Sequence, residues 1–294
     1  MRHSNSRRRF LQHAGATLAA ASLAPLSLAT AAEEKQPAKV DPYGGFKMGI
    51  QSYSLRGYKV EEALKHTQEL GLAYWEAYPN HVPVSSVPAE VEKQKAMLAD
   101  HGVTLLAYGV VGFDSNETNA RKIFDFAKAI GLTSISANPK KEAATFDLLD
   151  KLVAEYEIPI AIHNHGPGAE YDKIADVVEW TKDRHALIGA CVDTGHYLRS
   201  DENPVDAIKT LGARVFGVHL KDVRTIKGED NKKPTRLMTI LGEGDLDIVG
   251  CLRELRAINF ANCLSIEYEE NAQNPLSDIK TCLDNVQAAV KKLA

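Results

Sequence analysis

Gly189-Ala-Cys-Val-Asp-Thr-Gly-His-Tyr197 is an apolar run that stops at Asp193, after which Gly195 turns the chain and His196 follows. A short, continuously apolar segment without polar alternation reads as a strand buried on both faces. The acid and the imidazole then stand at its carboxyl end. The pattern recurs: Pro159–Ile162 runs into His163, Asn164 and His165, Val215–Val218 into His219, Lys221 and Asp222, and Cys263–Ile266 into Glu267 and Glu269. Buried parallel strands that carry chemistry at their carboxyl ends are the arrangement of an α/β barrel whose site lies at one mouth.

Working outward, strand patterns fall at 48–53, 72–78, 103–110, 133–137, 159–165, 188–193, 215–220 and 263–268. Helical spacing of apolar residues follows each of them, at 60–70, 87–99, 116–130, 143–156, 171–180, 204–211, 246–258 and 275–293. Gly71, Gly102, Gly131 and Gly212 close helices, and Pro204 opens one. Eight alternations in about 250 residues predict a single α/β domain, a (β/α)₈ TIM barrel, rather than a doubly wound sheet. No Gly-x-Gly-x-x-Gly follows the first strand, which argues against a dinucleotide fold. Residues 221–234 read as a long polar loop, and Gly242–Gly244 as a turn into the next helix, too short for a phosphate loop.

The chain has 294 residues, 44% hydrophobic and 25% charged, ordinary values for a globular protein. Its first 32 residues stand apart. Ser6-Arg7-Arg8-Arg9-Phe10-Leu11-Gln12 precedes an Ala/Leu run at 14–28, and Ala29-Thr30-Ala31 offers small residues for cleavage. This leader resembles a twin-arginine export signal and implies a periplasmic destination. Its apolar run is shorter than the roughly 20 residues of a bilayer span. Residues 33–45 are expected to be a flexible arm, with the barrel over 46–294. Loss of the leader removes four of the 35 basic residues and no acid, so 31 face 39 acids, a net −8. An acidic chain is unsuited to nucleic acid, which needs a basic stripe to displace counterions. Cys191, Cys251, Cys263 and Cys282 form no Cys-x-x-Cys pair and read as buried free thiols. The sequon Asn116-Glu117-Thr118 carries no weight beside a bacterial-type leader.

Asp193, His219 and Glu267 end three different strands, so a closed barrel brings them to one mouth. Two carboxylates and an imidazole suit one divalent ion, Mn²⁺, Co²⁺, Mg²⁺ or Zn²⁺, with positions left for substrate. Val192-Asp193-Thr194-Gly195-His196, Val218-His219-Leu220-Lys221-Asp222, Gly242-Glu243-Gly244-Asp245-Leu246-Asp247 and Ser265-Ile266-Glu267-Tyr268-Glu269 together resemble the sugar-phosphate isomerase/epimerase superfamily of xylose isomerase-like barrels. The resemblance covers residues 47–293. It implies a metal held by Glu, Asp, His and Glu at four strand ends, three of which match Asp193, His219 and Glu267. The remaining glutamate, typically in Glu-Asn-His, falls on His163 of His163-Asn164-His165, a departure from the family pattern. It also implies a small carbohydrate substrate and is compatible with a homo-oligomer, since dimers and tetramers are common among such barrels.

The expected chemistry is proton abstraction α to a carbonyl through an enediolate, with Glu267 or Glu269 as base and His163 or His165 moving a second proton. Lys221 is a candidate to hold a substrate oxygen, or to pair with Asp222 or Glu269. By resemblance His196 contacts substrate, and Glu76, Gln51 and Tyr53 end early strands where they could line a sugar pocket. His81, between Pro79 and Pro83, reads as loop surface. Proton return would make the protein a sugar isomerase or epimerase, the commoner family activity. Loss of a β-substituent would make it a lyase or dehydratase on a keto-sugar, keto-glycoside or cyclitol, which the histidine at 163 favours. Two further readings are an endonuclease IV-like phosphodiesterase, which would need extra histidines where this chain has Glu76 and Tyr108, and a sugar-binding barrel without catalysis.

Overall fold

The structure is a computed structural model that describes residues 41–228 and 234–293. The proposed leader and most of the arm lie outside these residues. In chain order the elements are β1 (Lys47–Gln51), α1 (Val60–Glu69), β2 (Tyr74–Ala77), α2 (Pro88–Asp100), β3 (Thr104–Phe113), α3 (Glu117–Ile130), β4 (Ser134–Pro139), α4 (Ala143–Tyr156), β5 (Ile160–His163) and α5 (Ile174–Thr181). There follow β6 (Ile188–Asp193), α6 (Thr194–Arg199), α7 (Pro204–Leu211), β7 (Val215–Leu220), β8 (Asp222–Ile226), β9 (Thr235–Thr239), α8 (Ile248–Ala257), β10 (Cys263–Ile266) and α9 (Leu276–Lys291).

Eight parallel strands close into a barrel in the order β1-β10-β7-β6-β5-β4-β3-β2. The strands have no exposed face: every residue of β5, β6 and β10 is buried. This is why they carry unbroken apolar runs. The helices turn one apolar stripe inward. Ala120, Phe124, Ala127 and Ile130 on α3 and Phe146, Leu149 and Val153 on α4 are buried at three- and four-residue spacing. Each of the Phe, Ile, Leu and Val side chains among them contributes roughly 1.5–3 kcal/mol by leaving water. Truncating Phe146, with none of its surface exposed, to alanine is expected to cost about 3–5 kcal/mol.

The four cysteines are buried and free. Three regions differ from the sequence-based expectations. The segment Asp41–Gly45, assigned to the arm, forms a turn in which Asp41 Oδ1 accepts from the Tyr43 amide at 2.9 Å and the Tyr43 ring is buried. The polar stretch after β7 is no simple loop, for β8 and β9 pair antiparallel from Asp222↔Thr239 to Ile226↔Thr235. Beyond Asp222 and Val223 the hairpin residues are at most partly buried, so no continuous buried face imposes an apolar pattern and its strands read as polar loop. His81 is buried rather than at the loop surface. Its ring lies 3.0 Å from Ser52 Oγ and 3.2 Å from the Tyr58 carbonyl, and it stacks on Trp75 with centroids 5.8 Å apart.

Candidate active site

Among the described residues, four side chains from β5, β6, β7 and the end of β10 meet at the carboxyl mouth. Donor atoms of His163, Asp193, His219 and Glu267 all lie within 4.8 Å of one another. His163 Nε2 is 3.0 Å from His219 Nδ1 and 3.5 Å from Asp193 Oδ2, and His219 Nδ1 is 3.0 Å from Glu267 Oε2. Ligands about 2.1 Å from one ion are themselves about 3.0–3.4 Å apart. Two ring nitrogens and two carboxylate oxygens therefore converge as donors around a common point.

The donor set passes a second test. Asp193 Oδ2 and Glu267 Oε2 are buried without a hydrogen bond of acceptable geometry. Lys221 Nζ approaches them at 3.0 and 2.8 Å, close enough for ion pairing but not aligned for an N–H···O bond. Oxygens that face a shared centre and leave a lone pair unused suit a divalent cation.

The local sequence explains how each donor is held. Asp193 caps α6, its Oδ1 accepting from the His196 amide at 2.7 Å, which leaves Oδ2 for the cluster. Thr194 Oγ1 bonds the backbone of Lys221 and so ties the end of β6 to the end of β7. Gly195 makes room for Lys221, because a β-carbon there would meet Lys221 Cγ at 2.6 Å. Asn164 clasps β5 to β6: its side chain donates to the Asp193 carbonyl at 3.0 Å and accepts from the Asp193 amide at 2.8 Å. His219 directs Nε2 to Glu76 Oε2 at 2.9 Å, so Nδ1 faces the cluster. A carboxylate behind a ligating histidine fixes its ring and tautomer.

Charge sets the protonation states. Burial by itself would raise Asp193 and Glu267, yet the Lys221 ammonium holds both well below the usual carboxylate range. Burial would lower Lys221, but Asp193, Glu267 and Glu269 hold it above its ordinary value. Burial would also lower His219, and Cys191, Glu76 and Glu267 outweigh it and hold the imidazole high. His165 and His196 go the other way: burial lowers them to about 4 and about 3, so both are neutral at pH 7.

Above the cluster is a cavity of about 260 Å³, lined by Gln51, Tyr53, Tyr78, Pro79, Gly109, Val110, His163, His165, His196, Lys221, Glu267 and Glu269. It gathers the residues singled out in the sequence except Asp193 and His219, which lie in the cluster beneath it, and Glu76. Glu76, expected to line the sugar pocket, is fully buried beneath His219 and does not reach the cavity. It ends β2 with its side chain turned into the barrel. Lys221 pairs with Glu269 at 2.9 Å and not with Asp222. The Asp222 carboxylate instead accepts from the amides of Gly242, Gly244 and Leu246 and shapes the turn before α8. Sequence reasoning missed Tyr78, whose signal was an aromatic at a strand end like Tyr53. It also missed Gly109 and Val110, which carry no functional group to betray them.

The closed parallel barrel and its buried donor cluster define a metal-dependent barrel enzyme. Residues 64–286 match the Xylose isomerase-like TIM barrel family, and the chain belongs to it. An inosose dehydratase of Clostridium botulinum (strain Eklund 17B / Type B) is 32% identical over 140 residues, which is 44% of this chain and 47% of the relative. That match spans about half the relative's length. Among solved structures, an uncharacterised protein of Parabacteroides distasonis is 27% identical with a TM-score of 0.62, covering 83% of this chain and 99% of that one. The zinc-bound IOLI protein has the same fold, with a TM-score of 0.64 at 16% identity over 85% of this chain and 99% of that one.

Proposed function

We propose that this protein is a divalent-metal-dependent lyase acting on a cyclic polyol ketone, removing a proton α to the carbonyl and expelling the β-oxygen substituent. The observation that carries the reading is the inequality of the two sides of the cavity. An epimerase of the family's two-glutamate kind needs a second base facing the first. In this chain the facing residue is His163, and both of its ring nitrogens are engaged, Nε2 toward the cluster and Nδ1 with His165 Nδ1 at 3.3 Å. One base and one hydrogen-bond donor remain, which is the requirement of an elimination.

His163, Asp193, His219 and Glu267 would hold the ion. When bound, it supplies Lewis acidity that polarises the carbonyl and stabilises the negative charge developing on its oxygen, a contribution of several kcal/mol. Glu267, kept ionised by Lys221, accepts the α proton. The C–H electron pair becomes the new C=C bond and the β C–O bond breaks. With its Nε2 on the cluster, His163 carries its hydrogen on Nδ1 and donates a hydrogen bond to His165 Nδ1. Neutral His165 presents Nε2–H as a hydrogen-bond donor to the departing oxygen, which leaves with the proton that Glu267 took. Lys221 and Gln51 orient hydroxyls, and Tyr53 and Tyr78, edge-to-face at 5.0 Å, form a wall against the sugar ring. The cavity has room for one six-membered ring. The dehydratase name of the Clostridium relative supports the reading, as does the carbohydrate chemistry of the family.

Isomerisation through the same proton abstraction is the second reading, favoured by the neutral His165 beside the substrate position, which could return a proton to carbon. Metal-loaded protein incubated in D₂O with an inosose and with an aryl 3-keto-glucoside separates the two. Release of water or of the aryl alcohol is the expected result. Deuterium incorporation without any release would overturn the lyase reading and support the isomerase.

We further propose that residues 1–32 direct twin-arginine export to the periplasm. A shorter mature chain beginning near residue 33 in the periplasmic fraction, lost on Arg7→Lys/Arg8→Lys/Arg9→Lys substitution, is the expected outcome.

A further inference from the structure

His196 lines the cavity, and its two ring nitrogens meet different surroundings. Nε2 lies on the cluster side, 4.0 Å from Asp193 Oδ2. Nδ1 is 3.2 Å from Nη1 of Arg199, one turn further along α6. A guanidinium has only donors, so Nδ1 must be the acceptor of this bond, and a neutral imidazole must then carry its hydrogen on Nε2. Among the described residues Arg199 has no carboxylate within ion-pair distance, although it is half-buried. Its position is also reserved sterically: a β-carbon at Gly166 would come within 3.0 Å of both Cζ and Nη1 of Arg199. The glycine after His165 leaves the space that the guanidinium occupies.

We infer that Arg199 is a positioning residue that locks His196 in the Nε2–H tautomer, so that His196 meets the substrate as a hydrogen-bond donor and not as a base. Arg199 does not reach the cavity and acts only through His196. The inference rests on the proposed function for its kinetic consequence but not for its structural one. His196 becomes a neutral donor aimed at a substrate oxygen, which adds a specificity element to the wall that carries His165. Both histidines then donate, and acceptance of a proton falls to the carboxylates on the opposite side.

The test is long-range ¹H–¹⁵N correlation on zinc-loaded protein labelled at histidine, with the His196 signals assigned by their loss in His196→Gln. In the wild type Nδ1 is expected to be unprotonated and Nε2 protonated. Arg199→Met should bring in the Nδ1–H tautomer, Arg199→Lys should largely restore the wild-type signature, and Gly166→Ala should shift it in the Met variant's direction by displacing the guanidinium. Gly166→Ala should add nothing in the Arg199→Met background, because its effect passes through Arg199. With an inosose as probe, Arg199→Met should lower kcat/KM about tenfold, chiefly through KM. A wild-type Nδ1–H or imidazolium signature, or an unchanged tautomer in both Arg199→Met and Gly166→Ala, overturns the inference. Should Arg199→Met fail to fold, Gly166→Ala, which keeps the arginine, decides alone. A correct tautomer response with no turnover of any cyclic ketone would sink the proposed function and leave the role of Arg199 standing.

Discussion

The two halves of the barrel contribute to the mouth in different ways. β5, β6, β7 and β10 and the segments that follow them supply all four converging donors, together with Lys221 and two further histidines, His165 and His196. β1 to β3 supply Gln51, Tyr53, Tyr78, Gly109 and Val110, a neutral wall. Among the described residues Glu76 is the one buried acid of β1 to β3, and it reaches across the barrel interior to serve the second half by bonding His219. The difference teaches that charge is confined to where oppositely charged neighbours can share it. Three buried carboxylates, Asp193, Glu267 and Glu76, and a buried ammonium are tolerable only as a network, because each alone would bear a desolvation cost of several kcal/mol. The wall that meets the substrate ring carries no charge and needs no such network.

The comparison breaks first, and most severely, at Asp193. Asp193→Asn should release the metal, measured by elemental analysis, and lower kcat/KM about 10³-fold, the equivalent of several kcal/mol of Lewis-acid stabilisation. A variant that keeps one ion per chain would remove Asp193 from the donor set. Glu76 tests whether the first half reaches the metal at a distance. Glu76→Gln should weaken metal affinity about 10- to 100-fold, with turnover recovered in excess metal; a change in KM at saturating metal would instead return Glu76 to the substrate pocket. The neutral wall is probed by Tyr53→Ala, which should raise KM about three- to tenfold and leave metal content untouched.

The smallest expected effect is a pH dependence. His165 and His196 titrate below the roughly 6.5 of an exposed histidine, so the unfolded chain binds more protons in the interval between. Their contribution to stability is complete above pH 6.5 and is lost as the pH falls toward about 4 for His165 and about 3 for His196. His219 has the opposite sign in the metal-free chain, contributing below pH 6.5 and losing that contribution as the pH rises through its raised value. The informative quantity is therefore a difference between variants. The urea midpoint of His165→Asn should fall less from pH 7 to pH 5 than that of the wild type, and an equal fall would remove His165 from the account.

Much of this was legible in the residues. The unbroken apolar runs of β5, β6, β7 and β10 exposed the strands, and Asp193, His219 and Glu267 at their ends exposed three of the donors, because a strand's carboxyl end is fixed by local pattern and barrel closure does the rest. His163 joined the donor set only through the family resemblance, which left its role between ligand and acid/base open. The β8–β9 hairpin was not legible, since its strands gain their order from pairing with each other rather than from burial. Nor was the burial of His81, which comes from Ser52, Tyr58 and Trp75 packing over a loop whose own composition is polar. Sequence alone thus determined the barrel and the kinds of donor at its mouth. Tertiary structure decided which way each side chain points: Glu76 into the barrel and under His219, Lys221 between Asp193, Glu267 and Glu269, and Arg199 into the space beside Gly166. The physical reason is that local periodicity specifies where a strand ends, whereas the direction of a buried polar side chain is chosen by the partners that satisfy it, and those come from distant parts of the chain.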